Sequence, residues 1–109
     1  MKLSRLRTNY EENPVGIAGI PAFSWVLESE IPNTMQEAFS LEILTGGERV
    51  YASGKRVSGQ SVGFEPEGFT VLPAQRYQWK LHVWSNRREE AQAEAQFEGG
   101  IATWRQILK

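Results

Sequence analysis

The residues best suited to hold or transform a ligand lie in the stretch LPAQRYQWKLHVWS, residues 72–85, where Tyr77, Trp79, Leu81 and Val83 alternate with Gln78, Lys80, His82 and Trp84. Aromatic rings repeating at every second position make either a platform on which sugar rings stack or the interior of a small β-domain. The paired acids Glu11-Glu12 and Glu89-Glu90 are the candidates for general acid–base work. Adjacent side chains diverge to opposite sides of a strand, or sit solvated in a turn, so neither pair is poised to face another across a pocket. His82 is the single histidine and the chain has no cysteine, so it lacks the usual zinc partners and reads as a solvated imidazole beside Lys80. Glycine-rich phosphate loops, nucleophile elbows and helical metal motifs are absent from the sequence. These residues imply no catalytic site, no metal and no cofactor.

The bulk composition narrows the partners. A chain of 109 residues, 40% hydrophobic and 23% charged, suits one globular domain that buries roughly two thirds of its unfolded surface. Twelve basic against thirteen acidic residues leave a net charge of −1. That gives no electrostatic case for nucleic acid or an anionic membrane. Without cysteine the fold needs no disulfide, which fits a reducing compartment. The opening MKLSRLRTNYEENP has no apolar core of signal-peptide length, so a cytoplasmic location is the expectation.

The elements that must position the aromatics follow a period of two almost throughout. Leu3–Thr8 reads as an edge strand, and FSWVLES (23–29) alternates Phe23, Trp25 and Leu27 with Ser24, Val26 and Glu28. EAFSLEIL (37–44) puts Phe39, Leu41 and Ile43 on one face, and Gly46-Gly47 turns it into RVYAS (49–53). QSVGFE (60–65) is expected to be a short strand. EAQAEAQF (90–97) has helix-forming composition, but its alternation to Phe97 favours a last strand. About seven strands without a helix predict an all-β, seven-stranded antiparallel two-sheet sandwich of the fibronectin type III or immunoglobulin kind. The whole of 1–109 is expected to be one domain, with its core over 3–98 and an exit segment over 99–109 leading to a following domain.

Within such a sandwich, Leu72-Pro73-Ala74-Gln75-Arg76-Tyr77 has the form of a tyrosine corner: a buried leucine, a turn, and a tyrosine whose hydroxyl returns to the backbone upstream. Trp25 is placed to fill the space between sheets. Trp25, Tyr77 and Trp79 are therefore assigned to the structure. Trp84 falls out of phase with the Tyr77–Val83 face and belongs on the outer side or the strand's end. Three readings of it stay open: cover by the NRREE loop or the termini, docking against another domain, and sugar stacking.

Several motifs together resemble one known module. RTNYEENPVGI (7–17), PAFSWVLES (21–29), MQEAFSLEI (35–43), YASGKRVSGQS (51–61), RYQWKLHVWS (76–85) and AQFEGGI (95–101) are similar to successive signatures of the N-terminal fibronectin type III-like domain of bacterial α-L-rhamnosidases. The likeness runs from about Leu6 to Ile101. Arg7, Tyr10, Asn13, Pro14, Gly16 and Ile17 match the family's first motif, and Pro21, Ser24, Trp25, Leu27, Glu28 and Ser29 its second. Gln36 and Ala38, then Ser53, Gly54, Lys55, Ser58 and Ser61, keep the middle motifs. Tyr77, Trp79, Val83, Trp84, Phe97, Glu98 and Gly100 complete the pattern, whose end reads A-x-F-E-T-G in the family. Phe39 replaces a tyrosine, Tyr51 a tryptophan and Ala52 an aspartate; Ala22 stands for arginine, Asn9 for glutamate, and Ala91 lies near a usual tryptophan.

The resemblance implies a non-catalytic domain of a multidomain inverting glycosidase whose catalytic carboxylates lie in a separate (α/α)₆ barrel. Inversion needs an acid and a base roughly 6.5–9.5 Å apart across a pocket, which the acidic pairs of this chain do not offer. The expected partners are neighbouring domains of the same polypeptide, for which the domain acts as an interdomain scaffold. The alternative is a carbohydrate-binding module for rhamnose-containing glycans, using Trp84 and Tyr51 as the exposed aromatics. A reading frame continuing past Lys109 into a barrel-sized extension would favour the scaffold.

Overall fold

The computed structural model describes residues 1–100. Seven strands follow in chain order: β1 (Lys2–Thr8), β2 (Phe23–Glu28), β3 (Gln36–Thr45), β4 (Glu48–Ala52), β5 (Arg56–Val57), β6 (Arg76–Ser85) and β7 (Glu90–Glu98). They form an antiparallel two-sheet sandwich. One sheet pairs β1 with β2; the other runs β4-β3-β6-β7, with the short β5 also bonded to β3.

Local chemistry explains the chain reversals. Gly46 and Gly47 both take positive φ (58° and 81°), as a two-residue hairpin turn requires, and Thr45 pairs with Glu48. Ser85 closes the β6–β7 turn: its amide donates to the Glu89 carbonyl at 2.9 Å, and its hydroxyl accepts from the amides of Arg87 and Glu89. Helix-forming Ala, Glu and Gln at 90–97 are overridden by nine paired positions along β6. The alternation that β6 offers is worth more to this segment than its local propensity.

One expected strand is missing. Residues 60–65 pair only at the isolated bridge between Phe23 and Phe64, although the Trp25 amide also donates to the Ser61 carbonyl at 2.9 Å. Gly63 takes a φ of +66°, which turns the chain out of extended geometry and breaks the ladder. The segment therefore lies beside β2 as an irregular edge, and the additional strand is β5.

Between the sheets the core is unusually aromatic. Phe23, Trp25, Phe39, Phe64, Phe69, Tyr77, Trp79 and Phe97 are all buried, with Leu41, Ile43, Leu81 and Val83. Phe23 lies 4.6 Å from Trp79, Trp25 5.2 Å from Phe39, and Tyr77 stacks on Phe97 at 4.9 Å. Tilted and offset pairs of this kind add to the gain from area burial alone.

The last described residues are threaded into the fold. The Gly99 amide donates to the Gln75 carbonyl and the Gly100 amide to Ile17, while the Gly100 carbonyl accepts from Ala74. A Cβ on Gly99 would collide with the Leu72 carbonyl oxygen. The threonine of the family's motif therefore does not fit at this position. Of the exit segment expected over 99–109, only Gly99 and Gly100 fall within the described residues.

Candidate functional site

Strand β6 decides which aromatics of the larger sheet are free to meet a ligand. Its inner face carries Tyr77, Trp79, Leu81 and Val83, all buried. Each pairs with a core-facing residue of β3 or β7, including Leu41 opposite Leu81 and Phe97 opposite Tyr77. The Tyr77 hydroxyl accepts a hydrogen bond from the Leu72 amide at 3.1 Å, five residues upstream. The Leu72 side chain, expected to be buried, is instead 59% exposed. The bridge between Gly19 and Val71 turns Val71 inward, and alternation sends Leu72 out. Trp25 donates its indole N–H to Gln36 Oε1 at 2.8 Å, and the Gln36 amide nitrogen reaches the carbonyls of Ser58 and Gln60. The indole nitrogen of Trp79 is buried without a partner.

Tyr51 turns away from solvent. It pairs with Ile43 across β3–β4, so it shares the core face. Its ring lies 6.4 Å from Phe69 and its hydroxyl is buried without a hydrogen bond. A sugar has no access to that hydroxyl. Trp84 is then the aromatic that remains on the outer face. A row crosses the sheet there, from Val57 through Ala38 and Trp84 to Glu90.

Trp84 does not stand alone. His82, two residues back on the same face, stacks on it at 4.0 Å and 10° between planes. The Lys55 ammonium sits 4.4 Å from the ring centroid, a cation–π geometry. His82 Nε2 and Glu90 Oε1 are 2.7 Å apart, so the imidazole expected to be solvated is held on both counts. Nothing in the sequence ties Lys55 or Glu90 to Trp84, because strand register alone brings them there. Beside this cluster is a shallow concavity of about 180 Å³ whose lining includes Ser40, Glu42, Lys80, His82, Trp84 and Gln92. Sites that enclose small ligands usually exceed about 300 Å³.

The acidic pairs take other work. Glu11 and Glu12 are exposed; Glu89 accepts from the Ser29 hydroxyl at 3.0 Å and Glu90 meets His82. Among the described residues no three His, Cys, Asp or Glu side chains come together to hold a metal ion.

Comparison with known proteins places this geometry. Residues 3–103 match the family model described as Rha78A-like, N-terminal immunoglobulin domain. The α-L-rhamnosidase of Formosa agariphila is 26% identical over 99 residues, covering 84% of this chain and 10% of that protein. The α-L-rhamnosidase of Streptomyces avermitilis is 29% identical over 90 residues, covering 77% and 9%. The crystal structure of the Streptomyces avermitilis enzyme complexed with L-rhamnose superposes with a TM-score of 0.83 at 27% identity, over 91% of this chain and 10% of that one. The structure of the α-L-rhamnosidase from Dictyoglumus thermophilum gives 0.82 at 26% identity, over 93% and 12%. The chain thus spans about a tenth of the length of the rhamnosidases it matches. With its sandwich and its motifs aligned over nearly all its residues, the chain belongs to the Rha78A-like N-terminal immunoglobulin domain family.

Proposed function

We propose that this domain is a non-catalytic interdomain scaffold of a multidomain α-L-rhamnosidase, whose catalytic domain hydrolyses terminal α-L-rhamnosides with inversion. The observation that carries this reading is the coverage: nearly the whole chain corresponds to about a tenth of each rhamnosidase. The disposition of side chains supports it. Eight aromatic rings are committed to the core, and the acidic pairs are engaged singly or solvated rather than facing each other across a pocket.

A carbohydrate-binding role for Trp84 is the second reading, favoured by the polar concavity beside it. An imidazole and an ammonium already lie over the indole, and a stacking sugar would have to displace them.

The test has two arms. The purified chain should release no nitrophenol from p-nitrophenyl α-L-rhamnoside, and turnover that survives repurification sinks the non-catalytic reading. Deleting residues 1–100 from the parent enzyme should lower the thermal midpoint of what remains. An unchanged midpoint sinks the scaffold.

A further inference from the structure

We propose that the end of the sandwich from which the chain leaves, built by residues 14–20, 70–75 and 99–100, is the face that docks against the following domain of the same polypeptide. This rests on the scaffold reading and names the surface that would perform it. Backbone contacts bring the three stretches together: Ile17 bridges Gly99, Gly19 bridges Val71, and Ala74 bonds Gly100.

Two properties of this end point to a protein partner. The first is charge. In a chain that is 23% charged, none of these fifteen residues carries one; the nearest ionic groups named here are Arg76 and Glu98, which pair with each other at 3.2 Å. The opposite end has Glu28, Glu30, Arg87, Arg88 and Glu89 in its strand ends and turns, so its exposed Ile31 and Met35 lie among charges. The second is exposure. Val15 is 72% exposed, Ile20 53% and Leu72 59%, although no ionic side chain within the three stretches shields them. Exposed aliphatic side chains in a stretch that carries no charge of its own, with the Arg76–Glu98 pair at the rim beside Val15, match the apolar core and polar rim of an interface. Val15 also lines a concavity of about 370 Å³ together with Gly16, Ala74, Glu98, Gly99 and Gly100, open to receive a side chain from the other surface.

The occupant follows from connectivity. Gly100 is bonded through both its amide and its carbonyl, and Gly99 fits only because it has no side chain. The last described residues are therefore anchored at this face, and a domain joined beyond them meets it at high effective concentration. Intrachain interfaces need only roughly 600–1,500 Å².

Carbene footprinting of the parent enzyme, read residue by residue, tests the assignment against an internal reference. Val57 is 88% exposed and pairs with Ala38, at the other end of β3 from the exit. Ile20 and Leu72 should be labelled at least ten-fold less than Val57 in the parent, and to a comparable extent in the chain alone. The double variant Ile20→Glu/Leu72→Glu should raise labelling of Val15 in the parent about ten-fold, whereas Val57→Glu should not. Should the double variant fail to fold, Val15→Glu, read at Leu72, serves instead. Labelling of Ile20 and Leu72 in the parent at the level of Val57 overturns the docking face. If that happens while deletion of 1–100 still destabilises the parent, the scaffold stands and only the surface is wrong. If deletion costs nothing, the scaffold reading has failed.

Discussion

The two faces of β6 are made from one ten-residue strand, yet they use their aromatics in opposite ways. On the inner face Tyr77 and Trp79 are enclosed by rings from β2, β7 and the loops, and their positions follow from packing. On the outer face Trp84 is held by His82 and by Lys55 from a distant part of the sequence. The inner set is replaceable only at the cost of a cavity. The outer set is a local cover that the core does not require. An aromatic-rich strand is therefore no evidence of a binding platform until each ring is assigned to a face.

The sharpest way to break this contrast is in the core. Trp25→Ala should destabilise the chain by roughly 3–5 kcal/mol, because an indole-sized void between two sheets cannot close; urea melts at matched slope measure it. Trp25→Phe and Trp79→Phe refine the point. The Trp25 indole N–H is bonded to Gln36, whereas that of Trp79 has no acceptor. Losing the nitrogen should therefore cost about 1 kcal/mol more at Trp25, where Gln36 is left short of a partner. Equal losses would show that the Gln36 bond contributes nothing.

Next in size is Gly99→Thr, which restores the residue of the family's motif. Its side chain would enter the space held by the Leu72 carbonyl, so a loss of about 1–3 kcal/mol is expected, typical of overpacking. A stabilised variant would mean that the exit segment can shift away from residue 72. Tyr77→Phe, at the same corner, should cost about 1–2 kcal/mol, since it orphans the Leu72 amide. Superimposable melts for variant and parent would remove the corner from the list of stabilising contacts.

Much of this architecture is legible in the sequence because a half-buried strand writes its burial into every second residue. β3, β6 and β7 can be read that way, and so can the outward phase of Trp84. Two kinds of feature cannot. Segment 60–65 has strand composition, but a single left-handed glycine, Gly63, unseats it. Tyr51 and Val50 are adjacent on a five-residue strand, and which of them faces the core depends on the shift in pairing between Ile43 and Leu44. That irregularity leaves no mark in RVYAS. The cover on Trp84 is invisible for a related reason. Lys55 reaches it only because β5 pairs with β3 and β3 with β6.

The smallest expected effect falls on Trp84 itself and separates the readings of the outer face. Trp84→Ser removes a cation–π contact, worth roughly 0.5–1 kcal/mol at an exposed site, and a stack with His82 on a half-buried ring. The core face of β6 is untouched, since Val83 and Leu81 keep their partners across the sheet. A loss of about 1 kcal/mol is therefore expected, well below that of Trp25→Ala, with the cooperativity of unfolding retained. Titration with L-rhamnose should leave the tryptophan fluorescence of both proteins unchanged, because the ring is already occupied by the chain's own side chains. A saturable change in the parent that Trp84→Ser abolishes would instead establish a sugar site at this face. Unfolding of the variant would show that Lys55, His82 and Trp84 are a second core, and the distinction between the two faces of β6 would be lost.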